Sequence, residues 1–230
     1  MSRVVVAPAN HSGEGGVQVL DDLGLPLVDR IKAAKSIVIA AGENITAAQA
    51  VMDFVQFHSR TPVHVLRTDD RDLVEGSIPR ADDVRMPIRR QRIAMESDFI
   101  ISIASMIPDR SQRTSLSIEQ WVFQSWIVPP RASSRGTVIT HDPWLEGELR
   151  DAVIADVYAQ KPCQLAIVDG TTTIGSVLAG FDAVAVDSIA VHIAGVDPDQ
   201  VGYLNVLASK GIGVATLSKI DVPLGVITAR

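Results

Sequence analysis

Residues 167–198 read IVDGTTTIGSVLAGFDAVAVDSIAVHIAGVDP, and the two ends of this stretch obey different periodicities. On its amino-terminal side, CQLAIVDG (163–170) is a short apolar run closed by Asp-Gly. Its length and its turn ending predict a strand buried on both faces. On the other side, DAVAVDSIAVHIAG (182–195) is apolar almost all round, with Asp182 placed to cap a helix and Gly195 placed to stop it. A buried strand followed by a buried helix predicts an α/β layer architecture. Within that helix one carboxylate, Asp187, stands among apolar neighbours such as Val184, Ala190 and Val191, and no Lys or Arg occurs from 162 to 209. An unpaired buried carboxylate costs several kcal/mol or changes its pKa. Asp187 therefore calls for a partner from elsewhere in the chain: backbone N–H groups of a loop, a distant Arg, or a metal.

Working outward, the same alternation recurs. RVVVA (3–7), SIVIAA (36–41), PVHVLR (62–67) and SDFIISIA (97–104) read as strands. LPLVDRIKAAK (25–35), NITAAQAVMDFVQFHSR (44–60, capped by Asn44), SLSIEQWVFQSWIV (115–128), PWLEGELRDAVIADVYAQ (143–160, capped by Asp142) and DPDQVGYLNVLASKG (197–211) read as helices. KIDVPLGVI (219–227) is a last extended piece. The expectation is a single α/β domain over 1–230, with a mainly parallel sheet flanked by helices. The polar, charge-rich segment 68–92 reads as a surface connection, with short strands as an alternative within it, and is the best candidate for an insertion.

The 230 residues are 47% hydrophobic but only 4% aromatic, so the core is built from Val, Ile, Ala and Leu. A net charge of −6 argues against a broad nucleic-acid surface. No apolar run approaches the ~18 residues of a membrane helix, and MSRVVVAPAN lacks the pattern of a signal peptide. The expected location is the cytoplasm. The single cysteine, Cys163, excludes a disulfide within the chain and reads as a small buried hydrophobe.

Several residues can carry chemistry. Asp169 and Gly170 close a predicted strand, at the sheet edge where open α/β folds bind ligands. A carboxylate there can bind a metal, orient a hydroxyl or act as a base, or simply hold its own turn. APANHSGEGG (7–16) follows the first strand, and its His11, Gly13 and Gly15 could approach a phosphate or carboxylate, although no phosphate-loop spacing is present. Arg110 and Arg113 follow the strand at 97–104 and suit an anionic ligand. His141, beside Asp142, is a candidate ligand or acid–base group. RMPIRRQR (85–92) is a further basic cluster, read as a solvated strip, a subunit contact or an anion site. Trp121, Phe123 and Trp126 could anchor an interface or finish the core.

AIVDGTTT, with LAGFDAVAVDSIAVHIAGVDPDQVGYLNVLASKGIG after it, resembles the DUF362 family, a group of uncharacterised prokaryotic proteins. Its members carry an IVDG strand end, an AG-D-VAVD helix start, then G-DP and a helix ending in GLG. The likeness spans roughly residues 97–222 and is good over the last sixty or so. It departs where the family has PK-KTH, here ASMIPDR; where the family has LKN, here Ile118-Glu119-Gln120; and in the shortened TTTIGS segment. No ferredoxin part is present. The resemblance carries over Asp169, Gly170, Gly180, Asp182, Asp187 and His141.

The reading is therefore a DUF362-like protein that binds a small anionic ligand or a metal at the carboxyl ends of the strands. Asp169, Asp187 and His141 would lie nearest the chemistry, and His11, Gly13, Gly15, Arg110, Arg113 and Gly170 around the ligand. Whether it is an enzyme, and which cofactor or metal it takes, the sequence leaves unknown. Its partners are expected to be a small molecule and further copies of itself, with no nucleic acid and no membrane. The alternative is a non-catalytic binding or assembly subunit that has lost the family's basic motifs.

Overall fold

Helix and strand alternate along the chain, as the pattern of short β-branched runs requires. The computed structural model describes residues 1–8, 15–67, 72–79, 85–106, 116–126, 131–132, 138–139 and 150–223. In chain order the elements are β1 (Ser2–Pro8), α1 (Gly15–Leu23), α2 (Leu25–Ala33), β2 (Ile37–Ala40), α3 (Ile45–His58), β3 (Val63–Val65), β4 (Leu73–Pro79), β5 (Arg85–Gln91), α4 (Arg92–Glu96), β6 (Phe99–Ser105), α5 (Ser117–Ser125), β7 (Arg131–Ala132), β8 (Val138–Ile139), α6 (Arg150–Gln160), β9 (Leu165–Gly170), β10 (Ser176–Gly180), α7 (Ala183–Ile193), α8 (Gly202–Ser209) and β11 (Ile220–Asp221).

A seven-stranded sheet in the order β11-β1-β10-β9-β6-β2-β3 forms the middle layer. All its pairings are parallel except those of β10, which runs antiparallel between β9 and β1. Side chains alternate between its faces, as strand geometry dictates. Ile37 and Ile39 of β2, Ile101 and Ile103 of β6, and Leu165 and Ile167 of β9 join α1, α2 and α3 in one core. Val38, Ile100, Ala166 and Val168 join α5, α6, α7 and α8 in the other. Burial on both faces is why these strands read as continuous apolar runs.

Three local expectations change, and one open alternative is decided. α1 was not legible, because VQVLDDLG (17–24) is short and follows a glycine-rich segment. β10 was not foreseen either; SVLAG is only five residues long and immediately follows the β9 turn. Within the segment 68–92 the short strands are present: β4 and β5 pair as an antiparallel hairpin, and Ile78, Ile88, Arg90 and Gln91 are buried. The helix expected over 197–211 divides into a 3-10 turn at Pro198–Gln200, capped by Asp197, and α8.

Candidate functional site

The sheet's connectivity places a crevice. From β2 the chain passes through α3 to β3 on one side, and β6 returns on the other side of β2. α3 packs into one core and α5 into the other, so the helices leaving neighbouring strands β2 and β6 lie on opposite faces. This is a topological switch point, where open α/β sheets leave a ligand crevice beyond the strand ends. Pro8, Ser105 and Gly170 end their strands at this same edge, since Ser105 aligns with Asp169, and Ser176 aligns with both Gly170 and Pro8.

A polar cluster occupies it. Asn44 caps α3, its Oδ1 accepting from the Ala47 N–H at 3.1 Å. Its amide nitrogen is thereby turned toward the sheet and donates to Ser105 Oγ at 2.9 Å and to Asp169 Oδ2 at 3.1 Å. Asp169 Oδ1 accepts from the backbone N–H and the hydroxyl of Thr171, at 3.1 and 2.6 Å. The carboxylate thus makes an Asx turn and also joins a cluster across three parallel strand ends. All three side chains are half-buried. A carboxylate has roughly four lone-pair sites; three are used here, and the Ser105 hydroxyl hydrogen has no acceptor among the described residues. One remaining acceptor site beside one donor suits a hydroxyl group.

Glycines shape the edge. Gly42 has φ +56°, and a Cβ on it would stand 2.8 Å from Gln120 Nε2 of α5. Gly170 admits no Cβ either, with the Ile174 side chain and the Ser176 carbonyl in the way. Its own carbonyl accepts from the N–H groups of Thr173, Ile174 and Gly175, so the backbone of Gly170 builds the turn between β9 and β10.

Asp187 is placed elsewhere. It is 0% exposed, and its carboxylate caps α5 from across the core. Oδ1 accepts from Ser117 N–H at 3.1 Å and from Ser117 Oγ at 2.6 Å; Oδ2 accepts from Ile118 N–H at 3.1 Å. α5 has no side-chain cap of its own, so Asp187 satisfies donors that helix starts leave orphaned. Burial nonetheless pushes its pKa up to about 7, against those three hydrogen bonds. The structure does not bring Asp187 to the crevice with Asp169: the two carboxylates share no partner, and Asp187 touches no solvent.

Of the other expected residues, Gly15 opens α1 rather than lying in a loop. His11, Gly13, Arg110, Arg113 and His141 lie outside the described residues, as do Asp142 and Pro143. Among the described residues no three His, Cys, Asp or Glu groups form a cluster able to hold a metal. The basic stretch 85–92 is divided by burial: Arg89 of β5 pairs with Glu75, and Arg92 at the start of α4 with Asp72 and Glu96, at the surface, while Arg90 is buried against Trp121, donating to Val157 O and Ser125 Oγ. Desolvation lowers its pKa to about 10. Trp121 and Trp126 are buried and only Phe123 reaches the surface, so the two tryptophans complete the core. Cys163 is buried too, its thiol pushed up to about 12.

Asn44 and Ser105 were not singled out in the sequence as site residues. The signal for Asn44 was its position, a cap directly after a parallel strand; Ser105 carried none beyond ending β6. No family model, curated protein or solved structure matches the chain. Among the described residues no helix is long and apolar enough to cross a membrane.

Proposed function

We propose that the protein binds a small hydroxyl-bearing ligand in the crevice beyond the carboxyl ends of β2, β6 and β9, with Asn44, Ser105 and Asp169 as its contacts. The observation that carries this reading is the Asn44 amide, which ties Ser105 and Asp169 together at a switch point and leaves one donor and one acceptor site for a ligand hydroxyl. Arg110 and Arg113 follow Met106 shortly in the chain and are the cations proposed for an anionic group on the same ligand. The resemblance of AIVDG and the α7 sequence to the DUF362 family supports the same edge. The buried tryptophans weigh against the alternative of an assembly subunit anchored through α5.

A thermal-shift screen of hydroxylated small molecules, with and without a phosphate or carboxylate, tests the proposal. A ligand should raise the melting temperature of the wild type and fail to raise that of Asp169→Asn. Equal shifts in both proteins, or no shift with any compound, would overturn the assignment.

A further inference from the structure

The crevice has a second wall, and that wall also carries a carboxamide. Its two sides are α3 and α5, packed on opposite faces of the sheet. The first residue of α5 is tied to β6, the Ser117 carbonyl accepting from Ser102 Oγ at 2.7 Å. One turn on, Gln120 reaches the β2–α3 connection: a Cβ on Gly42 would stand 2.8 Å from its Nε2 and 3.2 Å from its Oε1. That connection is a tight turn, closed by Asn44 N–H donating to Ala41 O at 2.9 Å. Two residues of chain span at most about 7 Å, so the carboxamides of Gln120 and Asn44 flank one turn.

The two amides are used differently. Asn44 commits its own to Ala47, Ser105 and Asp169. Gln120 is half-buried, and neither of its polar atoms has a hydrogen-bond partner among the described residues. The unpartnered side-chain atoms sealed from solvent among those residues are Arg90 Nε, Gln91 Oε1, Gln124 Oε1 and Tyr203 Oη; neither atom of Gln120 belongs with them. Its donor and its acceptor are both open to solvent. Gln120 also takes no part in the separate cleft lined by Met52, Val65 and Leu66, which leaves the crevice side of the turn.

We propose that the crevice ligand is a nucleoside, a sugar hydroxyl held by Asn44, Ser105 and Asp169 and the donor–acceptor edge of the base held by Gln120. The inference rests on the crevice reading and names its ligand class. A carboxamide presents a donor beside an acceptor, which matches an adenine edge, where an amino N–H lies beside a ring nitrogen. A carboxylate at a strand end of an open α/β sheet suits a ribose hydroxyl. The net charge of −6 favours a free nucleoside over a nucleic-acid strand.

The test is isothermal titration calorimetry of the full chain with adenosine, with purine riboside, which lacks the amino group, and with 2′,3′-dideoxyadenosine, which lacks the ribose hydroxyls of that edge. Adenosine should bind saturably. Purine riboside should bind roughly fivefold more weakly, the worth of one neutral hydrogen bond, and dideoxyadenosine should also lose affinity. Gln120→Met keeps the length without the amide and should erase the preference for adenosine over purine riboside; Asp169→Asn should weaken both alike. Equal affinity for adenosine and purine riboside in the wild type, or no binding of adenosine, overturns the inference, and that comparison needs no variant to fold. Equal affinity for the two with binding still lost in Asp169→Asn strikes Gln120 alone. Adenosine bound unchanged by Asp169→Asn strikes the crevice reading beneath it, and the inference with it.

Discussion

Replacing Asp187 by Asn should change how stability depends on pH, and the direction can be worked from the geometry. The carboxylate receives Ser117 N–H on one oxygen and Ile118 N–H on the other. An amide offers only one acceptor atom, so one buried backbone N–H is left facing an NH2 group, at a cost of about 1–3 kcal/mol. Against that stands the desolvation of a charge. The folded-state pKa is about 7, above the ordinary 3.8, so between those values the folded protein holds the proton more tightly than the unfolded chain. Below about pH 4 both states are protonated and above about pH 7 both are ionised; in between, stability falls as pH rises. At ~1.4 kcal/mol per pH unit the ceiling on that fall is about 4 kcal/mol. Asn has no proton to lose. Urea denaturation of both proteins between about pH 4 and pH 8 should therefore show wild type ahead at the acid end, with its lead shrinking or reversing toward neutrality. A lead that stays constant, or grows with pH, would refute the reasoning: the three donors would then be holding the carboxylate ionised throughout.

Three further outcomes follow from the same geometry. Asn44→Ala should cost about 1 kcal/mol in urea denaturation from the lost cap on α3, and should also release Asp169 Oδ2, which amide exchange at Thr171 would register. Glu119→Gln breaks a pair with Arg150 at 2.6 Å whose side chains are only 5% and 17% exposed; the loss should be about 3 kcal/mol, and smaller in an Arg150→Met background. Cys163 should resist a thiol reagent in the native protein near neutral pH, because burial holds it protonated, and should react at once in denaturant.

How much of this was legible in the sequence varies with the physics involved. Long periodic segments such as α3 and α7 announced themselves through their caps, and Asn44 and Asp182 do accept from Ala47 and Ala185 N–H groups. Strands buried on both faces read as apolar runs. β10 did not, since five residues after a turn carry too little periodicity to separate strand from loop. Asp187 was legible as an anomaly: its surroundings demanded a distant partner, and backbone N–H groups were among the answers. Which helix supplied them depends on packing between residues 70 positions apart, and local pattern holds no record of that. The crevice follows a similar rule. Asp169 could be placed at a strand end, but its neighbours are Asn44, the cap of α3 just beyond β2, and Ser105 at the end of β6, and only the sheet order brings them together.

The central claim is that the Asn44–Ser105–Asp169 cluster marks a ligand crevice. Native mass spectrometry of protein purified without chelator tests it most directly. The account predicts a stoichiometric small-molecule adduct on the wild type that disappears in Asp169→Asn while the folded charge-state distribution is unchanged. An adduct retained at full occupancy by Asp169→Asn, or a wild type that carries none and gains none from a hydroxylated-metabolite mixture, would contradict it.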